Sequence, residues 1–229
     1  GAGTLTSATV GAGVPITAVR ERPNDNRIQG NLIGTNKEGN FVEGLGNRAG
    51  GVHLRNEGSL STITASGNMI GGADGEDGAD DGTNRASNII SGNLFNGITL
   101  VGHHSENNII KGNFIGTDKE GLTAAPNQGD GIHVSPSPGQ VSGPTTALIG
   151  GAEAGAGNVI SGNTGNGVFI GRGAKAVVVA NYIGTDANGA EALGNGEHGV
   201  FIFESSDSFI GPPVTPEAGE SEALLYNVI

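Results

Sequence analysis

Asn158-Val159-Ile160-Ser161-Gly162-Asn163-Thr164-Gly165-Asn166-Gly167-Val168-Phe169-Ile170 is the stretch that decides the fold. It holds two short apolar runs, and each run is entered through Asn or Gly. The same pattern occupies residues 88–100, and a third copy begins at residue 227. Repetition of this kind is typical of architectures that are built from stacked units.

One class of apolar run reads Gly-aliphatic-x-aliphatic and returns along the chain. Two further runs of the type Asn-x-Ile lie between successive copies, and no amphipathic segment of helical length intervenes. Three short strands per period predict a solenoid, in which each turn places like residues on like residues. The copies start at Gly51, Gly97, Gly131, Gly167 and Gly199, with intervals of 46, 34, 36 and 32 residues. One interior column is predicted to contain Val52, Ile98, Ile132, Val168 and Val200.

Asparagine recurs between the predicted strands, where the chain has to turn sharply. Asn tolerates the left-handed conformation, and its side chain bonds nearby backbone groups. Stacked from coil to coil, such side chains form an amide ladder, as stacked Asn does in cross-β structures. The predicted ladder consists of Asn31, Asn88, Asn113, Asn158, Asn181 and Asn227.

Alternate coils carry the sequence Ile-Gly-Thr-Asp, which ends at Asp118 and at Asp186. Asn36 replaces the aspartate in the earliest copy. Asp or Asn in the first position and Gly in the fourth are typical of a type I turn. We therefore interpret these aspartates as turn residues and not as an acid or a metal site.

The predicted fold is all-β, a single right-handed parallel β-helix of about six coils with three short strands each. It spans residues 27–229, whereas residues 1–26 match the repeat poorly and are expected to form an N-terminal cap or an irregular first coil. The chain halts at Asn227-Val228-Ile229, inside a coil. An uncapped end exposes strand edges that pair with other chains, so either the protein continues past Ile229 or a neighbouring molecule completes the coil. End-to-end self-association into a filament is expected if that neighbour is a second copy.

The composition of the chain bears on its possible partners, its cysteine chemistry and its location. The 229-residue chain carries a net charge of −12 and contains only 11 Lys and Arg, with no basic stretch. Nucleic acid is therefore a poor partner, because binding to phosphate backbones needs clustered Lys and Arg. No apolar run approaches the length of about 18 residues that membrane insertion needs. The chain has no cysteine, which excludes disulfides and thiolate chemistry. This acidic composition, rich in Gly, Asn and Thr, predicts an extracellular or cell-surface location.

The repeated Asn-x-Ile-x-Gly-Asn and Ile-Gly-Thr-Asp sequences resemble the right-handed parallel β-helix repeats of the pectate-lyase-like superfamily, found in large bacterial surface and secreted proteins. The resemblance covers residues 27–229 and implies the fold. It implies no single activity, because such β-helices serve as lyases, hydrolases, epimerases, tail fibres, adhesins and spacers.

The Gly-aliphatic-x-aliphatic strands direct their x positions outward, because side chains alternate along a strand. Polysaccharide lyases of the resembled superfamily combine an Arg or Lys base with acidic calcium ligands on a sheet face, and its pectin hydrolases carry paired Asp. Neither outward row of this chain shows such a set, so no catalytic residue is assigned. One row contains His53, Thr99, His133, Phe169 and Phe201, and its neighbour contains Arg55, Val101, Ser135, Gly171 and Phe203.

The aromatic end of these rows is the candidate binding surface. Exposed apolar patches mark contact surfaces. This patch could meet sugar rings, another protomer or a covering loop of the chain itself at residues 204–225. Its residues are His133, Phe169, Phe201 and Phe203.

An acidic loop at residues 74–82 is the candidate metal site. Ca²⁺ takes several carboxylate oxygens from flexible loops that contain glycine. The spacing matches neither the twelve-residue hand loop nor the calcium-binding nonapeptide, so a solvated acidic insertion is the alternative. The candidate calcium ligands are Asp74, Glu76, Asp77, Asp80 and Asp81. No other cofactor is predicted.

Two functions follow from these features. The first is a non-catalytic structural or adhesive rod on the cell surface, which the regular repeat and the unfinished last coil favour. The second is a β-helix that binds or degrades polysaccharide in the region of the aromatic residues and the acidic loop.

Overall fold

Three parallel sheets wind around one apolar interior, so the chain is a right-handed parallel β-helix, as the repeat predicts. The computed structural model describes residues 4–5, 14–18, 24–56, 64–78, 82–102, 104–136, 145–211 and 226–229. Each coil passes through the three sheets in a fixed order, here numbered sheet 1, sheet 2 and sheet 3.

Sheet 1 has seven strands and sheet 2 has five. The strands of sheet 1 are β1 Thr4–Leu5, β3 Arg27–Ile28, β6 Met69–Gly71, β9 Ser105–Lys111, β12 Thr145–Gly150, β15 Lys175–Val179 and β18 Phe209–Ile210. The strands of sheet 2 are β4 Leu32–Ile33, β7 Ile89–Ile90, β10 Phe114–Ile115, β13 Val159–Ile160 and β16 Tyr182–Ile183.

Sheet 3 has six strands and carries the outward rows described above. Its strands are β2 Val14–Ala18, β5 Val52–Asn56, β8 Ile98–Val101, β11 Ile132–Ser135, β14 Val168–Gly171 and β17 Val200–Phe203. A 3₁₀ helix at Asp74–Asp77 follows β6. Among the residues that the structure describes, no helix is long and apolar enough to cross a membrane.

The N-terminal segment joins the stack through two of its strands. β1 pairs in parallel with β3, and β2 pairs in parallel with β5 over five residues. Residues 1–26 therefore supply a strand to sheet 1 and another to sheet 3.

Interior columns form because successive coils pair without a shift along the core positions. Ile132 stands between Ile98 and Val168, and Val134 stands between Leu100 and Ile170. Sheets 1 and 2 repeat this with columns of isoleucine and valine. The largest fully buried side chains include Ile70, Ile90, Ile110, Ile115, Ile149 and Ile160. A core without large rings is thus filled by stacked aliphatic side chains, as the composition predicts.

The six predicted asparagines occupy one buried column at the turn between sheet 1 and sheet 2. Asn158 is typical, since its Nδ2 donates to Asn181 Oδ1 at 2.8 Å and to the Ile110 carbonyl at 2.9 Å. Its Oδ1 accepts from the backbone N–H and the side-chain amide of Asn113. The same contacts link the column from Asn31 to Asn227.

A second asparagine ladder lies at the turn between sheet 2 and sheet 3, and a third precedes sheet 1. The second joins Asn47, Asn93, Asn127, Asn163 and Asn195 through side-chain contacts of 2.7–3.0 Å. The third joins Asn26, Asn68 and Asn108. Asparagine side chains thus hold successive coils together along two corners, and the third ladder adds the same contacts over the first three coils.

The turns of the Ile-Gly-Thr segments have the predicted form. The N–H of Gly121 donates to the Asp118 carbonyl at 3.1 Å, and Gly189 makes the matching contact with Asp186 at 3.0 Å. The Asp118 carboxylate accepts from the Leu122 N–H. These aspartates therefore serve the turns.

Candidate binding groove on sheet 3

A groove of about 620 Å³ runs across the outer face of sheet 3. Its floor consists of outward side chains from β5, β8 and β11, which are His53, Arg55, Thr99, Val101, His133 and Ser135. One wall is built from the corner segments that precede these strands, at residues 95–96, 128–130 and 164–165, and from Glu197. The regular stacking of coils therefore positions loop residues beside strand residues in an open trough.

Aromatic rings continue this face over the next two coils. The ring of Phe169 stacks on the imidazole of His133, with centroids 4.5 Å apart and planes 14° apart. Phe201 meets Phe169 edge to face at 5.6 Å and lies 6.2 Å from Phe203. His198 stacks on Phe201 at 5.0 Å. The structure thus brings four predicted residues together, since His133, Phe169 and Phe201 share one outward row and Phe203 lies beside Phe201 in the neighbouring row.

Gly171 makes room for the Phe169 ring. A Cβ on Gly171 would lie 2.4 Å from Cε1 of Phe169, closer than any tolerated contact. Because this position faces outward beside the ring, only a residue without a side chain lets Phe169 lie flat along the sheet and against His133. Phe203 occupies the same row one coil further and is 39% exposed.

A column of polar residues stands at the corner before sheet 3, on the wall of the groove. The side-chain oxygen of each of the first three residues accepts from the backbone N–H of its counterpart in the next coil, at 2.9–3.2 Å. The members are Asn96, Asp130, Asn166 and His198. Asp130 is the carboxylate in this column, and it lies in the coil that also carries His133.

Asp130 and Ser135 both contact the His133 ring. Nδ1 of His133 lies 2.9 Å from Asp130 Oδ2, and Nε2 lies 3.1 Å from Ser135 Oγ. The neighbouring coil repeats the first contact with neutral groups, because Nδ2 of Asn96 donates to Thr99 Oγ1 at 3.3 Å. Asp130, His133 and Ser135 therefore form a continuous line of polar contacts in the groove.

The environment of Asp130 favours its ionised form. Burial raises the pKa of this carboxyl, but hydrogen bonds from His133 and from the side chain and backbone of Asn166 outweigh burial and hold the pKa below its usual 3.8. An ionised carboxylate only accepts hydrogen bonds, so His133 carries its proton on Nδ1. In the neutral form of the ring Nε2 carries no proton, and it can then accept from the Ser135 hydroxyl.

Neither a protein-family model nor a curated protein nor a solved structure matches the chain. The chemistry of this groove is therefore inferred from its own residues.

The described part of the acidic loop uses its carboxylates within the protein. Asp74 accepts from the Gly82 N–H, and Asp77 accepts from the Arg85 N–H, both at 2.7 Å. Glu76 contacts the buried Lys111 Nζ at 3.1 Å. Asp80 and Asp81 lie outside the described residues.

The Lys111 contact also acts on the acidity of Glu76. Burial raises the pKa of the Glu76 carboxyl, but the hydrogen bond from the Ala73 N–H and the Lys111 ammonium lower it by more. The pKa of Glu76 therefore lies below its usual 4.5. In the part of the chain that the structure describes, no three His, Cys, Asp or Glu side chains are grouped to hold a metal ion.

Sequence reasoning missed the contacts of Asp130 and Ser135. It compared residues along each strand row, whereas Asp130 lies in the corner before the strand. The signal that finds this group is the local sequence Asp130-Gly131-Ile132-His133-Val134-Ser135. Residues two apart on a strand share a face, and the corner brings the residue before the glycine beside that face.

Proposed function

We propose that this protein is an extracellular, adhesive β-helix rod that binds polysaccharide along the outer face of sheet 3. The proposal includes membership of the pectate-lyase-like superfamily, which the repeat sequence supports. The observation that carries it is the aromatic row of Phe169 and Phe201, flanked by Phe203 in the neighbouring row, which continues from a groove with polar walls.

Sugar rings suit this surface because they present apolar C–H faces together with hydroxyl groups. Partly exposed aromatic rings supply large rigid contact area at little cost in conformational entropy. The groove adds amide, carboxylate and guanidinium groups, among them Asn96, Gln128, Glu197 and Arg55. The combination of stacked rings and polar groups fits an extended glycan better than a purely apolar ligand.

The charge of the chain favours a neutral glycan. A net charge of −12 repels polyanions at a distance, and the groove itself contains Asp130 and Glu197. We therefore propose that neutral polysaccharides bind more tightly than acidic ones of the same length.

Affinity electrophoresis in gels that contain xylan, glucomannan or polygalacturonate tests the proposal. The wild-type chain is expected to be retarded by a neutral polysaccharide, and Phe201→Ala and Phe203→Ala are each expected to weaken retardation about tenfold, as loss of a 1.4 kcal/mol contact does. Phe209→Ala is the matched control, because Phe209 is an exposed ring on sheet 1, away from the groove.

Equal mobility of the wild type in all gels would contradict glycan binding. Equal retardation of Phe201→Ala, Phe203→Ala and Phe209→Ala would show that the aromatic row is not the binding surface.

A further inference from the structure

We propose that Asp130, His133 and Ser135 form a nucleophilic site that hydrolyses esters, with Ser135 as the nucleophile and His133 as the general base. The geometry carries this proposal, because two contacts of 2.9 and 3.1 Å join a carboxylate, an imidazole and a hydroxyl in sequence. Hydroxyl nucleophiles are activated in this way, by a base that a third group orients.

Further contacts hold the side chains of Asp130 and His133 in place. Asp130 Oδ1 accepts from the backbone N–H and the Nδ2 of Asn166 at 2.9 and 2.8 Å, so Oδ2 is directed to His133. The imidazole is covered on one face by Phe169. The Asp130 N–H is bound by Asn96 Oδ1. Asp130 and His133 are therefore oriented before any substrate binds, which is what efficient catalysis needs.

Stability alone does not call for a carboxylate at position 130. The ladder contacts of this column require an acceptor oxygen and are made equally by Asn96 and Asn166. A carboxylate differs from these amides in what its second oxygen does, since it accepts the Nδ1 proton of His133. With the proton of the neutral imidazole on Nδ1, Nε2 carries none and can remove one from the Ser135 hydroxyl.

The reaction balances with water as the only co-reactant. Ser135 Oγ attacks the acyl carbon while its proton passes to His133 Nε2, and the alcohol leaves with that proton as its C–O bond breaks. Water then attacks the acyl carbon and gives a proton to Nε2. The acyl–Oγ bond breaks, Ser135 regains the proton, and a carboxylic acid is released. Arg55 lies two strands away from Ser135 in the same outward row and lines the same groove, so its guanidinium contributes positive charge to the groove.

The groove suggests the class of ester. Ser135 is only 8% exposed and lies on the floor, so a small acyl group reaches it more readily than a bulky one. If the groove binds glycans as proposed above, the natural substrate is a sugar that carries a small O-acyl group. This assignment of the alcohol rests on the proposed function, whereas the assignment of the triad does not.

Hydrolysis of p-nitrophenyl acetate by the intact chain tests the site without a glycan. Ser135→Ala is expected to lower the rate to that of buffer. Asp130→Asn keeps the ladder acceptor and is expected to lower kcat by about 10²–10⁴-fold at unchanged KM, because the amide stabilises the wrong tautomer of His133. Ser87→Ala, a half-buried serine outside the groove, is the matched control and is expected to retain the wild-type rate.

A fluorophosphonate probe with intact-mass detection gives a second readout. One adduct per chain is expected on the wild type and on Ser87→Ala, and none on Ser135→Ala. A wild-type rate equal to buffer, or a rate and adduct unchanged in Ser135→Ala, would overturn the proposal. Hydrolysis without retention in glycan gels would uphold the triad and contradict the proposed glycan binding. Retention in glycan gels without hydrolysis would uphold glycan binding and contradict the triad.

Discussion

Single side chains decide which chemical groups each coil contributes to the groove, and the clearest case is the pair of residues Asn96 and Asp130. Both occupy the same corner and accept the same ladder hydrogen bond. They differ by one atom, yet Asn96 donates to Thr99 whereas Asp130 accepts from His133. An aspartate in place of asparagine thus changes the hydrogen bonding in the groove while the backbone stays unchanged.

The lowered pKa of Asp130 predicts a pH-dependent stability difference. A carboxyl whose pKa is lower in the folded chain than its usual 3.8 stabilises the fold above that value, and this stabilisation is lost as the pH falls through the folded pKa. The free energy of unfolding of the wild type minus that of Asp130→Asn should therefore be largest near neutral pH and shrink below about pH 5.

Urea denaturation at a series of pH values measures this difference. The two proteins share all other titrating groups, so those contributions largely cancel. A difference that stays constant from pH 7 to pH 3 would contradict the coupling between Asp130 and His133.

Elements of two to seven residues are stable here because all but the edge strands of each sheet are paired on both sides. A two-residue strand cannot persist alone, since isolated short pairings are marginal in water. Its stability comes from the coil above and the coil below, so a clash between coils costs more than local backbone strain. The glycines of the Ile-Gly-Thr segments allow the two effects to be separated.

Gly116→Ala and Gly184→Ala form a matched pair at the element scale. Both glycines have positive φ, 86° and 79°, so alanine strains the backbone equally. A Cβ on Gly116 would lie 2.3 Å from the Ser161 carbonyl of the next coil, whereas at Gly184 the nearest atom of the residues that the structure describes is 3.9 Å away.

Thermal unfolding of this 229-residue chain is expected to show the contrast. Gly184→Ala should lose about 1 kcal/mol, the usual cost of a left-handed alanine. Gly116→Ala should lose at least twice as much because the coils have to separate. Equal losses in the two variants would mean that contact between coils adds nothing at this corner.

Much of the element pattern can be predicted from the sequence. The apolar columns and the ladder from Asn31 to Asn227 follow from period and spacing, because identical strands stack in register. The ladder through Asn93 and Asn163 was missed because the intervening coil places its asparagine, Asn127, after Ala-Pro instead of the Ser-Gly that precedes Asn93 and Asn163. The Glu76–Lys111 contact could not be predicted either, because it depends on how the acidic loop folds back on β9.

At the scale of the whole molecule, stability is expected to depend on the number of coils that cover a given position. In a stack, each repeat contacts only its neighbours. Ile149 and Ile210 belong to the same column of sheet 1, through β15. Ile149 is fully buried, whereas Ile210, in the last strand of that sheet, is 39% exposed.

Ile149→Ala is therefore expected to destabilise the chain by about 2–5 kcal/mol, the range for deletion of a buried isoleucine side chain. Ile210→Ala should cost less, because 39% of the Ile210 surface stays in water. Chemical denaturation of both variants measures the difference, and a loss for Ile210→Ala equal to that of Ile149→Ala would contradict the stacking account. End-to-end assembly stays a prediction, which sedimentation velocity over a range of concentrations measures.

The corner column has a consequence for how such a protein can change over evolutionary time. Any coil inserted into the stack meets the same amides and the same apolar columns that its neighbours already meet. A duplication of the two coils around β11 would therefore copy Asp130, His133 and Ser135 as a working set. Two coils at the parallel spacing place the copies about 10 Å apart. A chain of this design can acquire a row of evenly spaced sites on one face by lengthening, without inventing a new surface.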